Sequence, residues 1–334
     1  MKKIIKGFII FLLSFIIIES IAWIAAIKYI YKQCHVCPHI KIISPISPLR
    51  FRNIMTSFDD YYVNNLRQKL RKPSGLEYSG HPIVLFGCSF TYGDGLTDKQ
   101  TISYKLANYM KRPVYNRGIS GWGVQHMLWQ LQNEPYLDTI KNPEYVIYTY
   151  IDDHLHRMFR YVHIPSVLFG PLDKNGLIEY MQYKERNGKL VRTFYIPFSR
   201  NIMTFNIISL WIQGNWWERF FNDKPFQKWL LNLFKMHLME SKKLINKKWP
   251  NAKIIIIDYE NIVESVPRNS PLPNFWKKMQ KEGFIYINSR KEFNVGSGDL
   301  QYVLSSSDSH PNEHAWDVIV PQLAKKLDEI SSKK

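Results

Sequence analysis

From Pro82 onward the chain alternates between short apolar runs and segments with helical spacing, and few architectures accommodate that order. The apolar runs are Ile83–Phe86, Pro113–Tyr115, Tyr145–Tyr150, Lys253–Ile257 and Phe284–Ile287. Helices are predicted over Thr101–Met110, Val124–Glu134, Phe226–Asn246, Phe275–Glu282 and Glu313–Ile330, the last with a kink at Pro321. In Phe226–Asn246 the residues Trp229, Leu230, Leu233, Phe234 and Leu244 share one side. Strands separated by helices imply a parallel sheet covered on both faces.

Five strands with such short connections suit an α/β, flavodoxin-like, doubly wound sheet, in which ligands bind at the carboxyl ends of the strands. An insertion at about residues 158–225 interrupts the alternation. Its turn signals, Asn175-Gly176 and Asn187-Gly188, predict a small antiparallel meander. Its aromatic stretch Phe205–Phe221 reads as core or lid packing, or as the lining of an acyl or sugar cleft. Residues 34–80 contain Pro38, Pro45, Pro48 and Pro73 and read as a stalk and preamble, with one helix near Phe58–Leu70. The compact domain is expected over 81–330.

Residues 1–33 form a different kind of segment. Lys2, Lys3 and Lys6 precede Gly7–Ile27, a 21-residue stretch broken mainly by Ser14, Glu19 and Ser20. About 20 apolar residues span a bilayer as a helix. The length and the bulk of Trp23 and Ile24 favour an uncleaved signal anchor over a cleaved leader, although Ala22, Ala25 and Ala26 resemble a cleavage site. The leading lysines orient the amino terminus toward the cytoplasm. The expectation is therefore a single-pass protein of the cytoplasmic membrane with its body outside, periplasmic or on the cell surface. Cys34 and Cys37 then suit a local disulfide, with His35 and His39 supplying the nitrogens of an alternative metal site. Of the net charge of +17, the first 33 residues carry +4 and the remainder +13. That charge fits an anionic neighbour such as lipid head groups or an acidic glycan, and equally a solvated basic surface. The apolar amino terminus argues against nucleic acid.

Four polar segments fall at predicted strand ends. Gly87-Cys88-Ser89 follows the first strand and leaves the Ser89 hydroxyl and backbone N–H facing the crevice. A serine nucleophile needs a base and an oxyanion site. Ser307-Asp308-Ser309-His310-Pro311-Asn312 precedes the last helix, where the proline is expected to hold His310 in a loop. Asp308, two residues earlier, is close enough to fix the imidazole tautomer, or it simply turns the chain. Asn116-Arg117-Gly118-Ile119-Ser120-Gly121 follows the second strand, and the Gly121 N–H joins that of Ser89 as a candidate oxyanion pair. Alone, this segment reads first as a glycine-requiring helix entry. Tyr150-Ile151-Asp152-Asp153-His154 follows the third strand and fits a helix cap, acid–base work, or metal binding with His156.

Together these segments resemble the SGNH (GDSL-like) hydrolases. Gly87-Cys88-Ser89 corresponds to their Gly-Asp-Ser, with Cys88 in place of the aspartate. Asn116 to Gly121 corresponds to their second block, and Asp308 with His310-Pro311-Asn312 to their last. The resemblance covers residues 81–330 outside the insertion. It implies Ser89 as nucleophile, His310 as base, Asp308 as its orienting carboxylate, and no metal or organic cofactor. The third block departs from the pattern: Tyr150 replaces the glycine of Gly-x-Asn-Asp, and Asp152 stands where an asparagine donates to the oxyanion. An ionised Asp152 would repel that charge. Protonation of Asp152, donation from His154 or Arg157, or a low rate would each reconcile it with catalysis.

The expected function is a membrane-anchored serine esterase or O-acyltransferase acting on a small ester, such as acetyl, of a cell-envelope glycan or lipid. The alternative is a catalytically inactive glycan-binding or assembly scaffold, which Asp152 favours. A metal-dependent hydrolase built on Asp152, Asp153, His154 and His156 is the third possibility.

Overall fold

The structure is a computed structural model that describes residues 70–158, 181–194, 222–259, 270–296 and 299–332, together with Ser14 and Ile17. The chain divides into two compact units. One comprises Asp59–Phe159, Gln182–Arg192 and Lys224–Lys334 and contains the sheet; the other, Met1–Phe58, Arg160–Met181 and Thr193–Asp223, lies almost wholly outside the described residues. The rest of the expected anchor, Cys34, Cys37, the stalk as far as residue 69, Asn175-Gly176 and the aromatic stretch also lie outside them. Among the described residues no helix is long and apolar enough to cross a membrane.

The elements in order are β1 (Ile83–Phe86), α1 (Ser89–Tyr92), α2 (Ile102–Met110), β2 (Val114–Asn116), α3 (Val124–Asn133), β3 (Tyr145–Tyr150), α4 (Asp153–Arg157), β4 (Met181–Arg186), β5 (Lys189–Phe194), α5 (Lys224–Lys248), β6 (Lys253–Asp258), α6 (Leu272–Lys281), β7 (Ile285–Asn288), α7 (Ser289–Phe293), β8 (Val303–Ser305), β9 (Asp308–Pro311) and α8 (Glu313–Ser332). Five strands form one sheet in the order β2-β1-β3-β6-β7, every neighbouring pair parallel. This is the doubly wound arrangement the alternation predicts.

Residues two apart on a strand face the same side. Ile83 and Leu85 of β1, Tyr145 and Ile147 of β3, and Ile255 and Ile257 of β6 join a core built with Ile102 and Leu106 of α2 and Trp316, Ile319 and Leu323 of α8. Tyr150 sits on the opposite face of β3 and meets Phe234 of α5, with ring centroids 5.4 Å apart. Both faces are therefore covered, which explains why the central strands read as unbroken apolar runs.

Several boundaries move for local reasons. α6 starts at Leu272, because Pro271 and Pro273 are tolerated in a first helical turn. Trp229 is 45% exposed and pairs with Phe226 rather than entering the core. α8 runs through Pro321 as one helix. β4 and β5 form a separate two-stranded sheet, and their connection, Asn187 and Gly188, has positive φ at both residues, as an Asn-Gly hairpin turn requires. The register of the large sheet pairs Leu85 with Asn116, Tyr150 with Asp258, and Asp258 with Asn288. The carboxyl ends of the strands thus gather along one rim.

Candidate active site

The turn after β1 is forced by crowding. A Cβ on Gly87 would stand 2.0 Å from Thr91 Oγ1, so any larger residue would displace α1. Cys88 is buried and caps α1. The helix closes through the Tyr92 N–H to the Cys88 carbonyl (2.9 Å) and the Gly93 N–H to the Ser89 carbonyl (2.8 Å). As the first residue of α1, Ser89 has an N–H with no intrahelical carbonyl to receive it. The residue is only 5% exposed.

Across from it stands His310, which is not in a loop. It lies on β9, the second strand of a short antiparallel hairpin with β8. Polar residues in a three- to four-residue pairing leave no alternation to read. The hairpin is fixed by Asn312, whose amide donates to the Gln301 and Val303 carbonyls at 2.9 Å each and whose oxygen accepts the Ala315 N–H at the start of α8. His310 Nε2 is 2.8 Å from Ser89 Oγ. Its Nδ1 is 2.5 Å from Asp308 Oδ1, which also accepts the His310 backbone N–H at 3.0 Å. With the ring proton on Nδ1, the imidazole donates to Asp308 and offers its Nε2 lone pair to the Ser89 hydroxyl. Burial would raise the Asp308 pKa, but the hydrogen bonds and charge of His310 outweigh it and hold the carboxyl below its ordinary value. Phe90 packs against the imidazole, with centroids 5.1 Å apart.

The loop after β2 is tied to this turn by Asn116, which is 1% exposed. Its amide donates to the Thr91 carbonyl at 2.7 Å, and its oxygen accepts the Gly118 N–H at 3.0 Å. The Ile119 N–H reaches the Gly87 carbonyl at 3.3 Å. Gly121 has φ +79°, and a Cβ there would meet no atom within 4 Å, so backbone conformation rather than crowding calls for glycine. Ser120 Oγ donates to both Asp94 oxygens at 2.6 Å.

The end of β3 is organised differently. The Tyr150 hydroxyl donates to Asp152 Oδ1 at 2.9 Å. Burial, and then the charges of Asp152 and Asp258, push the Tyr150 pKa well up, so the phenol remains the donor. His154 is fully buried with Nδ1 2.6 Å from the Tyr148 hydroxyl. Burial, followed by the Arg157 charge, holds its pKa well below the usual value, so the ring is neutral. Asp153 accepts from Arg157 Nε at 2.6 Å. Asp152, Asp153 and His154 therefore face three different partners, and among the described residues no group of three or more His, Cys, Asp or Glu side chains is gathered for a metal. The His156 side chain lies outside the described residues.

The structure thus brings Ser89, His310 and Asp308 into one hydrogen-bonded chain and ties the Gly121 loop to the same turn. Asp152 is turned to a phenol. A hydroxyl that can pass its proton to an imidazole oriented by a carboxylate is equipped for acyl transfer. Sequence reasoning missed the roles of Asn312 and Phe90. The first had a signal, since asparagine directly before a helical segment is a favoured cap; the second had none.

No family model matches the chain, and no curated protein matches it. Solved structures that it resembles include a lipolytic protein of the G-D-S-L family from Desulfitobacterium hafniense (11% identity, TM-score 0.39, covering 74% of this chain and 99% of that one). A family 3 carbohydrate esterase from Clostridium thermocellum shows 14% identity and a TM-score of 0.41, with 75% and 98% covered. A further similar structure is a lipolytic G-D-S-L protein from Veillonella parvula, with 13% identity, a TM-score of 0.39, and 76% and 100% covered. At such identities and scores, the chemistry of this site rests on its own residues.

Proposed function

We propose that the protein is a serine esterase or O-acyltransferase of the SGNH type. The observation that carries this is the 2.8 Å approach of His310 Nε2 to Ser89 Oγ, made by residues 221 positions apart. Ser89 Oγ attacks the ester carbonyl carbon, a C–O bond forms, and the hydroxyl proton passes to His310 Nε2. The N–H groups of Ser89 and Gly121 receive the oxyanion. The ester C–O bond then breaks, and His310 returns the proton to the departing alcohol. Water, or an acceptor hydroxyl, repeats the sequence in reverse and frees Ser89. Asp308 keeps the imidazole in the productive tautomer throughout. No step calls for a metal or an organic cofactor.

The proposed substrate is a small acyl ester, such as acetyl, of an envelope glycan or lipid. Two features support it: the +13 carried beyond residue 33, suited to anionic surroundings, and residues 7–27, long enough to anchor the chain with its body outside the cytoplasm. The test is labelling of the full chain in detergent by a fluorophosphonate, with acetate release measured on a panel of O-acetylated glycans. Labelling at Ser89 that disappears in His310→Ala is expected. Folded protein that is not labelled supports the second reading, an inactive glycan-binding or assembly scaffold, which Asp152 at the donor position favours.

A further inference from the structure

Arg157 ends α4, a five-residue helix at the carboxyl end of β3, and its side chain is only 13% exposed. Burying a guanidinium is costly unless its donors are met. Two segments of the site meet them. Nε donates to Asp153 Oδ2 at 2.6 Å, directly after Asp152. Nη1 donates to the Trp122 carbonyl at 2.6 Å, directly after Gly121. Gln125, in the first turn of α3, donates its amide to the Arg157 carbonyl at 2.8 Å, so the backbone is held as well. One cation is therefore bonded to the chain neighbours of both Gly121 and Asp152.

A rigid planar donor with several fixed directions is suited to such a junction, where the flexible ammonium of a lysine is not. Resting on the acyl-transfer reading above, we propose that Arg157 is the positioning residue of the oxyanion pocket: it locks the Gly121–Trp122 peptide to the Asp152–Asp153 segment at the end of β3. It acts through these neighbours and does not itself touch the ester.

The experiment compares the full-chain parent, Arg157→Ala, Arg157→Lys and Ser89→Ala for p-nitrophenyl acetate hydrolysis, thermal midpoint, and response to added ethylguanidinium. Arg157→Ala is expected to lose about 10²-fold in kcat, the scale of one oxyanion contact, with KM little changed. Ethylguanidinium is expected to restore part of that loss in Arg157→Ala and none in Ser89→Ala. Arg157→Lys, which keeps the charge but not the fork, is expected to fall between. A folded Arg157→Ala with parental kcat, or with only KM altered, would overturn the proposal while Ser89-dependent turnover stands. Should Arg157→Ala not fold, a folded Arg157→Lys with parental kcat overturns it equally, and one with reduced kcat and unchanged KM supports it. A parent without Ser89-dependent turnover sinks both this role and the enzyme.

Discussion

The two flanks of the rim solve different problems. On the flank of β1, β2 and β9, polar groups from distant segments bond to one another: Asn116 to Thr91, Ile119 to Gly87, His310 to Ser89. Glycines let backbones approach, and cations add to the ties: Arg71 donates to the Tyr92, Gly93 and Leu96 carbonyls, and Arg117 pairs with Glu134 at 3.4 Å. On the flank of β3, β6 and β7 the walls are aromatic. Trp276 stacks on Tyr286 with centroids 4.9 Å apart and meets Tyr150 edge-on at the same separation. Two carboxylates there are met by phenols, Asp152 by Tyr150 at 2.9 Å and Asp258 by Tyr286 at 2.5 Å, while Asp153 is paired with Arg157. The first flank fixes where a proton goes. The second stores negative charge in a poorly solvated place and restrains it with hydroxyl donors. The departure at Asp152 is thus confined to the flank that does not hold Ser89.

The strongest way to break this division is to act on the first flank alone. Asp308→Asn keeps the shape of the side chain but accepts differently from His310, so the wrong tautomer faces Ser89. A loss of about 10⁴-fold in kcat is expected, the scale seen when such an orienting carboxylate becomes an amide. Steady-state hydrolysis of p-nitrophenyl acetate measures it. A loss under tenfold would mean that His310 does not depend on its partner, and the proton path assigned to this flank would be wrong.

These flanks were not equally legible in sequence. Ser89, Asp308 and His310 stood out because each is part of a short local pattern at a strand end, and β1 and β3 were bounded correctly because buried parallel strands read as continuous apolar runs. The hairpin carrying His310 was invisible, since its strands have three and four residues and are mostly serine, aspartate and histidine. β2 gains Asn116 over its predicted span because the side chain's partners lie on α1 and α2, 13 to 25 positions away. Asp152 was visible as an oddity, but the phenol that holds it was not: Tyr150 lies two positions earlier on a strand, and only the turn into α4 brings its hydroxyl back to the carboxylate. Local signals identified the chemistry, while contacts between segments decided which groups face one another.

The second flank is expected to be the acid-labile one. His237 on α5 is fully buried, with its Nδ1 2.8 Å from the Leu233 carbonyl. Burial, partly opposed by that carbonyl, pushes its pKa down to about 4. The unfolded chain binds a proton near the ordinary value of about 6.5, which the folded chain refuses. Stability from this group is therefore complete above about pH 6.5 and is lost as the pH falls toward 4, by about 3 kcal/mol. His154 shifts in the same direction. Urea unfolding at pH 7.5 and 5 is expected to show about 2 kcal/mol of this loss in the parent and a shallower one in His237→Gln. Equal slopes would mean that His237 is protonated inside the fold.

Asn116 sharpens the comparison from the other side. Asn116→Ala strands the Thr91 carbonyl and the Gly118 N–H in a buried place, at a cost of about 1–3 kcal/mol. Because those groups belong to the Ser89 turn and the Gly121 loop, kcat is expected to fall along with the urea midpoint. A variant destabilised by that amount but with parental kcat would show that the two loops keep their relation without this strut.

The smallest effect bears on Asp152 itself. In Asp152→Asn the amide oxygen can still accept from the Tyr150 hydroxyl, so the local geometry survives while one negative charge is removed from the oxyanion side of the cleft. If the carboxylate is held aside by Tyr150, its influence on the reacting centre is through space, and Asp152→Asn is expected to raise kcat by about tenfold, or about 1.4 kcal/mol, with KM unchanged. A gain of 10²–10³-fold would place the new amide directly on the oxyanion, as a full donor. A fall would mean that the carboxylate takes part in proton transfer, and the flank that only stores charge would have to be counted as part of the engine. Tyr150→Phe separates these outcomes: releasing an otherwise idle carboxylate lowers kcat in the parent background but leaves Asp152→Asn unaffected, because no charge remains to be released.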